Sequence, residues 1–181
     1  MGGGGAGGSA EGEEIHPYYS FPPFFTIQPN EETKQKQLQA WCDLVTDYCR
    51  KRRVFEFDPA TFPPFENKAI ERSLSESARE AVLSFVASQG RCERHDRRKV
   101  FVTWTSFEEW GKALLEWAHR TGRREDVMTV DELCTSDDFA TEAFHGCPPA
   151  FMQKILKELE KGKHVMLFQG SDQDDQGVKF L

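Results

Sequence analysis

One succession of elements occurs twice in this chain, and nothing else in the sequence constrains its fold as tightly. From residue 30 the signals read helix, strand, helix, helix, strand, turn, strand, and from residue 106 the same order returns. In the first pass Asn30 is an N-cap, followed by Glu31 and Glu32 where a helix N-terminus favours negative charge, and the helix runs to about residue 52. Leu38, Trp41, Cys42, Val45, Tyr48 and Cys49 recur at helical spacing and form its apolar stripe, which assigns both cysteines to packing. Val54 to Phe57 reads as a short strand, and after the Phe62-Pro63-Pro64-Phe65 turn a short helix is expected around Glu66 to Arg72. Ser75 or Ser77 caps a longer helix with Ala78, Ala81, Val82, Phe85 and Val86 on one face, and Gly90 stands where a left-handed C-terminal residue is wanted. Arg91 to His95, a tip at Asp96 to Arg98, and Lys99 to Trp104 close the block as a hairpin.

The second pass has its own punctuation. Ser106 and Glu109 make a capping box, opening a helix with Phe107, Trp110, Leu114 and Trp117 on one face. Val127 to Thr129 is a short strand, Val130 to Cys134 a short helix, and Pro148 begins a third helix whose apolar face is Met152, Ile155, Leu156 and Leu159, ended by Gly162. Val165 to Phe168, a polar turn at Gly170 to Gly177, and Val178 to Leu181 form the last hairpin. Each block, of about 75 residues, has three helices and a wing, enough to enclose a small core. The expected fold is therefore α+β and mostly helical, with two tandem winged-helix domains. Residues 1–20 are expected to be a disordered glycine-rich tail, 21–105 a proline-aromatic arm with the first domain, and 106–181 the second domain. Gly2 is a poor myristoylation signal, because Ala6 stands where the pattern wants Ser or Thr.

The arm, Tyr18-Tyr19-Ser20-Phe21-Pro22-Pro23-Phe24-Phe25, is the feature that a small core alone does not require. Its prolines favour an extended backbone that enters neither a helix nor a central strand, and it displays a row of rings. Those rings either fold back on their own core or dock on a partner.

Signals for chemistry are weak. The P-loop, G-x-S-x-G and H-E-x-x-H patterns do not occur, and the pairs Cys92 with His95 and His145 with Cys147 are each too small for a zinc site. The sequence points to no catalytic residue, cofactor or metal. The five cysteines are odd in number and lack C-x-x-C spacing, which fits a reducing compartment, and no apolar run is long enough to cross a bilayer. DNA binding is the rival that a winged helix raises. Five basic against two acidic side chains between Arg91 and Lys99 make a positive wing, but Ser106 to Leu181 carries nine basic against fifteen acidic residues, where phosphate contact needs a positive stripe.

The longest motifs are Phe21-Pro22-Pro23-Phe24-Phe25-Thr26-Ile27-Gln28-Pro29-Asn30, Lys34-Gln35-Lys36-Gln37-Leu38 and Ala40-Trp41-Cys42, then Glu108-Glu109-Trp110-Gly111-Lys112, Phe144-His145-Gly146 and Gly177-Val178-Lys179-Phe180. In this order they closely resemble the vacuolar protein sorting-associated protein 25 family, the small subunit of the ESCRT-II complex, from Phe21 to Leu181. The resemblance implies a non-catalytic adaptor of endosomal multivesicular body sorting, cytoplasmic and recruited to endosomal membrane through its complex. It would be present in two copies beside two larger winged-helix subunits, with cargo ubiquitin and lipid left to those partners. It implies that Phe21, Pro22, Pro23, Phe24 and Phe25 bind the larger subunits, with Phe25 where the family motif often has a tyrosine. It also implies that the second domain recruits the first ESCRT-III subunit, a charged multivesicular body protein, by holding its N-terminal helix. The seven acidic residues between Glu125 and Glu142 are a candidate rim for that helix, or simply a solvated loop.

Overall fold

The computed structural model describes residues 16–170 and 176–181, so the first fifteen residues of the expected tail and the centre of the last turn lie outside the described residues. Local signals set the first helix, α1 (Glu31–Arg52): the Asn30 side chain accepts the Thr33 N–H, and Arg53 ends the helix in the left-handed region at φ 53°. Strand β1 is only Glu56–Phe57. Where a short helix was expected at Glu66 to Arg72, the chain instead forms a small antiparallel ladder, β2 (Glu66–Asn67) against β3 (Arg72–Ser73), joined by one 3-10 turn at Lys68–Ile70. Asn67 is the cause. Its side-chain oxygen takes the Ala69 N–H at 3.1 Å while its amide donates to the Tyr19 carbonyl at 2.8 Å, and Glu71 closes the turn at φ 53°.

Helix α2 (Glu76–Ser88) is capped by Ser75 and leads into β4 (Cys92–Arg94) and β5 (Val100–Val102). The second pass follows with α3 (Phe107–Arg120), β6 (Val127–Thr129), α4 (Val130–Thr135), α5 (Pro149–Lys161), β7 (Val165–Gln169) and β8 (Gln176–Phe180). The Ser106–Glu109 capping box forms, and Thr129 with Glu132 makes a second one at α4. Both three-stranded sheets have one topology, with the last strand central: β1-β5-β4 and β6-β8-β7. The two halves share this strand order, the α+β winged-helix arrangement in tandem, but the β2–β3 ladder and its 3-10 turn stand in the first half where α4 stands in the second.

Each half packs its own core, around Trp41, Val45, Phe65 and Val82 in one and Trp117, Leu133, Phe151 and Phe180 in the other. The two cores meet through aromatic residues of the first half. Phe55 and Phe101 belong to the second cluster, their rings 5.2 and 5.8 Å from that of Phe151, and Trp104 packs against both clusters. Polar ties reinforce the junction. Lys154 on α5 pairs with Glu93 on β4 at 2.7 Å, and the Arg53 guanidinium donates to the carbonyls of Ala140 and Glu142.

Candidate functional site

The arm meets α1, and its backbone departs from the extended form that its prolines suggested. Pro22–Phe25 is a 3-10 turn, closed by the Phe24 N–H on the Phe21 carbonyl at 3.0 Å and the Thr26 N–H on the Pro23 carbonyl at 3.2 Å. Prolines suit the first positions of such a turn because their missing N–H would have no partner there and their fixed φ matches it. The turn sorts the side chains into two sets. Phe24 and Phe25 point inward and are buried, the first stacked flat on Trp41 at 4.4 Å and 3°, the second edge-on to it at 5.4 Å and 85°. Phe21 is 56% exposed, as is Tyr18, with Pro22 and Pro23 exposed beside them. The five residues singled out in the sequence are thus together in one turn while facing opposite ways.

Hydrogen bonds fasten this turn to the domain. The Trp41 Nε1–H donates to the Phe24 carbonyl at 3.0 Å, and the Gln37 amide donates to the carbonyls of Phe24 and Thr26 at 2.9 and 2.8 Å. Upstream, the Tyr19 hydroxyl donates to the Glu66 carbonyl at 2.7 Å; burial, with the nearby Tyr48 and Glu66, pushes its pKa up to about 12. Gln37 was not singled out in the sequence, although a signal was present: it lies one helical turn before Trp41 and two before Val45, a polar residue on the apolar stripe.

A second surface lies in the other half. A cleft of about 880 Å³ runs between α3 and α5 and is closed at one end by the β4–β5 hairpin, with Phe107, Leu115 and Ala150 on its floor and His95 and Phe101 at its end. At Gly111 the two helices approach so closely that an added Cβ would sit 2.9 Å from Leu159 Cδ2. The rim is charged and internally paired: Lys112 with Glu108, Lys154 with Glu93 and Lys161 with Glu158, at 2.6–2.7 Å.

The acidic stretch from Glu125 to Glu142 is largely occupied within the fold. Glu125 pairs with Lys179, Asp126 with Arg123 and Glu142 with Arg120, while Glu132 serves the α4 capping box; among the described residues Asp131, Asp137 and Asp138 make no ion pair. Two of the five basic residues of the wing are engaged in the same manner. Arg94 pairs with Glu80 and Lys99 with Glu56, which draws down the charge available to phosphate.

The cysteines are packed. Cys92 donates to the Leu83 carbonyl, and burial pushes its pKa up to about 11; Cys134 and Cys147 lie 3.7 Å apart in the core, where their mutual contact and burial hold the Cys147 thiol protonated. His95 stacks on Phe101 at 4.1 Å. Among the described residues, no group of three or more His, Cys, Asp or Glu is placed to hold a metal ion, and no helix is long and apolar enough to cross a membrane.

Comparison with known proteins brings these features together. Residues 18–148 match the family described as ESCRT-II complex subunit. The chain is 40% identical over 169 residues to vacuolar protein-sorting-associated protein 25 of Danio rerio, covering 90% of this chain and 95% of that protein. It is 36% identical over 166 residues to the protein of that name from Arabidopsis thaliana, covering 90% and 93%. Among solved structures it superposes on subunit VPS25 of the endosomal trafficking complex ESCRT-II with a TM-score of 0.83 and 26% identity, covering 91% of this chain and 97% of that one. A chain of the endosomal complex ESCRT-II (VPS22/VPS25/VPS36) gives a TM-score of 0.81 at 26% identity, covering 92% and 98%.

Proposed function

This chain belongs to the family of ESCRT-II complex subunits, a structural rather than catalytic component of an endosomal trafficking complex, and from that premise we propose that it is an adaptor with two docking surfaces. The first is the arm. Two copies of the chain dock on the two larger winged-helix subunits, counterparts of the VPS22 and VPS36 in the related complex. The observation that carries this reading is Phe21, 56% exposed beside two exposed prolines on a turn whose next two rings are buried. A rigid turn that presents a large ring is a good interface anchor, because little order is lost when the ring enters a pocket. All five residues serve docking, in two ways: Phe21, Pro22 and Pro23 face the partner, while Phe24 and Phe25 seat the turn on α1.

The second surface belongs to the unit beginning near residue 106, the α3–α5 cleft, whose apolar floor suits an amphipathic helix. The occupant in this reading is the N-terminal helix of the first ESCRT-III subunit, a charged multivesicular body protein. The net acidity of this half would steer a basic helix toward it, contributing to encounter rate more than to affinity. Membrane association follows through the complex at the cytoplasmic face of endosomes, with no direct contact to nucleic acid.

Co-purification with the two larger subunits tests the first surface: Phe21→Ala should weaken assembly by at least about thirtyfold while the chain stays folded. Leu115→Glu tests the second. It should abolish capture of the ESCRT-III helix and leave assembly intact; capture unaffected by Leu115→Glu would place that helix elsewhere.

A further inference from the structure

Gln37 occupies a position that the packing of α1 would give to an apolar residue. It shares a face with Trp41 and Val45 and is 7% exposed. Its amide is nevertheless fully used, entirely on the arm. Nε2 donates to the carbonyls of Phe24 at 2.9 Å and Thr26 at 2.8 Å, with Pro23 at 3.3 Å, and Oε1 accepts the Gln28 N–H at 3.1 Å. Trp41, one helical turn on, adds its indole N–H to the Phe24 carbonyl.

The arm needs these bonds because it supplies few of its own. Pro22 and Pro23 have no N–H, so two of the four residues of the turn donate no hydrogen bond to hold it. Left alone, a proline-rich segment of this kind returns to an extended polyproline ensemble. A buried polar side chain with every group satisfied selects one backbone geometry, whereas an apolar side chain of the same volume would fill the space and select none.

We infer that Gln37 is the positioning residue of the arm: it holds residues 23–28 in the turn that presents Phe21, Pro22 and Pro23, and so sets the fraction of chains competent to dock. This rests on the reading of the arm as the docking segment. Because Gln37 is buried, it acts on the partner only through that fraction. Its loss lowers apparent affinity by dividing the intrinsic affinity among competent and incompetent arms.

The test is Gln37→Met, which keeps the volume and removes the amide, in the full chain. Association and dissociation rates are measured on a complex of the two larger subunits, and hydrogen exchange is followed at the Thr26 and Gln28 amides of the free chain. The expected result is an association rate lower by about tenfold, an unchanged dissociation rate, and lost protection at those two amides with α1 still protected. An unchanged association rate, or a change confined to dissociation, overturns the inference. Should Gln37→Met fail to fold, Gln37→Leu, which also removes the amide at similar volume, replaces it, with the same loss of association rate expected and no change overturning the inference. Phe21→Ala separates the two levels of the argument. Binding insensitive to Phe21→Ala refutes docking by the arm, whereas binding sensitive to Phe21→Ala but indifferent to Gln37→Met refutes only the role of Gln37.

Discussion

Replacing Phe24 by alanine asks whether the arm is part of the folded domain before any partner arrives. The ring is 4% exposed and lies flat on Trp41 at 4.4 Å, so truncation removes a buried aromatic group and uncovers one face of a buried indole. Phe-to-Ala changes in cores cost about 3–5 kcal/mol, the loss depending on how far the site can collapse. Here the His16 and Tyr18 rings lie 5.9 and 6.1 Å from that of Phe24 and can move inward, while the backbone bonds from Gln37 and Trp41 are untouched. The lower end, about 3 kcal/mol, is therefore expected. That is a large fraction of the stability of about 5–15 kcal/mol of an ordinary domain, yet it leaves a folded protein to measure. Urea unfolding of the isolated chain, followed by tryptophan fluorescence and far-ultraviolet dichroism, gives the difference. Phe21→Ala, three residues earlier and mostly exposed, should change stability by less than about 0.5 kcal/mol. A loss below about 1 kcal/mol for Phe24→Ala would refute the argument, because it would mean that the ring leaves Trp41 in the free chain.

Three further outcomes follow from local geometry. Gly177→Ala places a Cβ 2.2 Å from Phe168 Cε2, so the ring must swing off β8 and urea unfolding should show a loss of about 1–3 kcal/mol, smaller in a Phe168→Ala background. Ser106→Ala removes the oxygen that accepts the Glu109 N–H at 3.1 Å and should cost about 1 kcal/mol in the same assay. Tyr19, with its folded pKa raised from 10.0 to about 12, contributes stability that is complete below pH 10 and is lost as pH rises toward 12. A tyrosinate absorbance titration should show a late step near pH 12 that Tyr19→Phe eliminates, and a titration unchanged by that substitution would contradict the placement of Tyr19.

Much of the fold was legible because its signals are local. Asn30, Ser75 and Ser106 each mark a helix start by side-chain chemistry within three residues, and the repeated element order leads directly to two sheets of the same strand order. The segment from Glu66 to Arg72 is too short for a period to show, and its conformation is decided by a hydrogen bond that the Asn67 amide donates to a carbonyl 48 residues away. The arm was legible in composition but its conformation was hidden. Its prolines favour extension in isolation, and the Trp41 ring and Gln37 amide that hold it as a turn lie on α1, beyond any local pattern. Phe55 and Phe101 show a related limit. Alternation in a strand tells which side is buried, whereas only the packed structure shows that these rings enter the core of the other half.

The most direct measurement is the mass of the assembly formed when this chain is co-expressed with the two larger ESCRT-II subunits, for wild type and for Phe21→Ala. The expected result is a complex containing two copies of the wild-type chain, and a Phe21→Ala chain that remains folded and monodisperse but is recovered outside the complex. A Phe21→Ala chain that still enters the complex in two copies would contradict the claim that the exposed face of the arm is the docking surface.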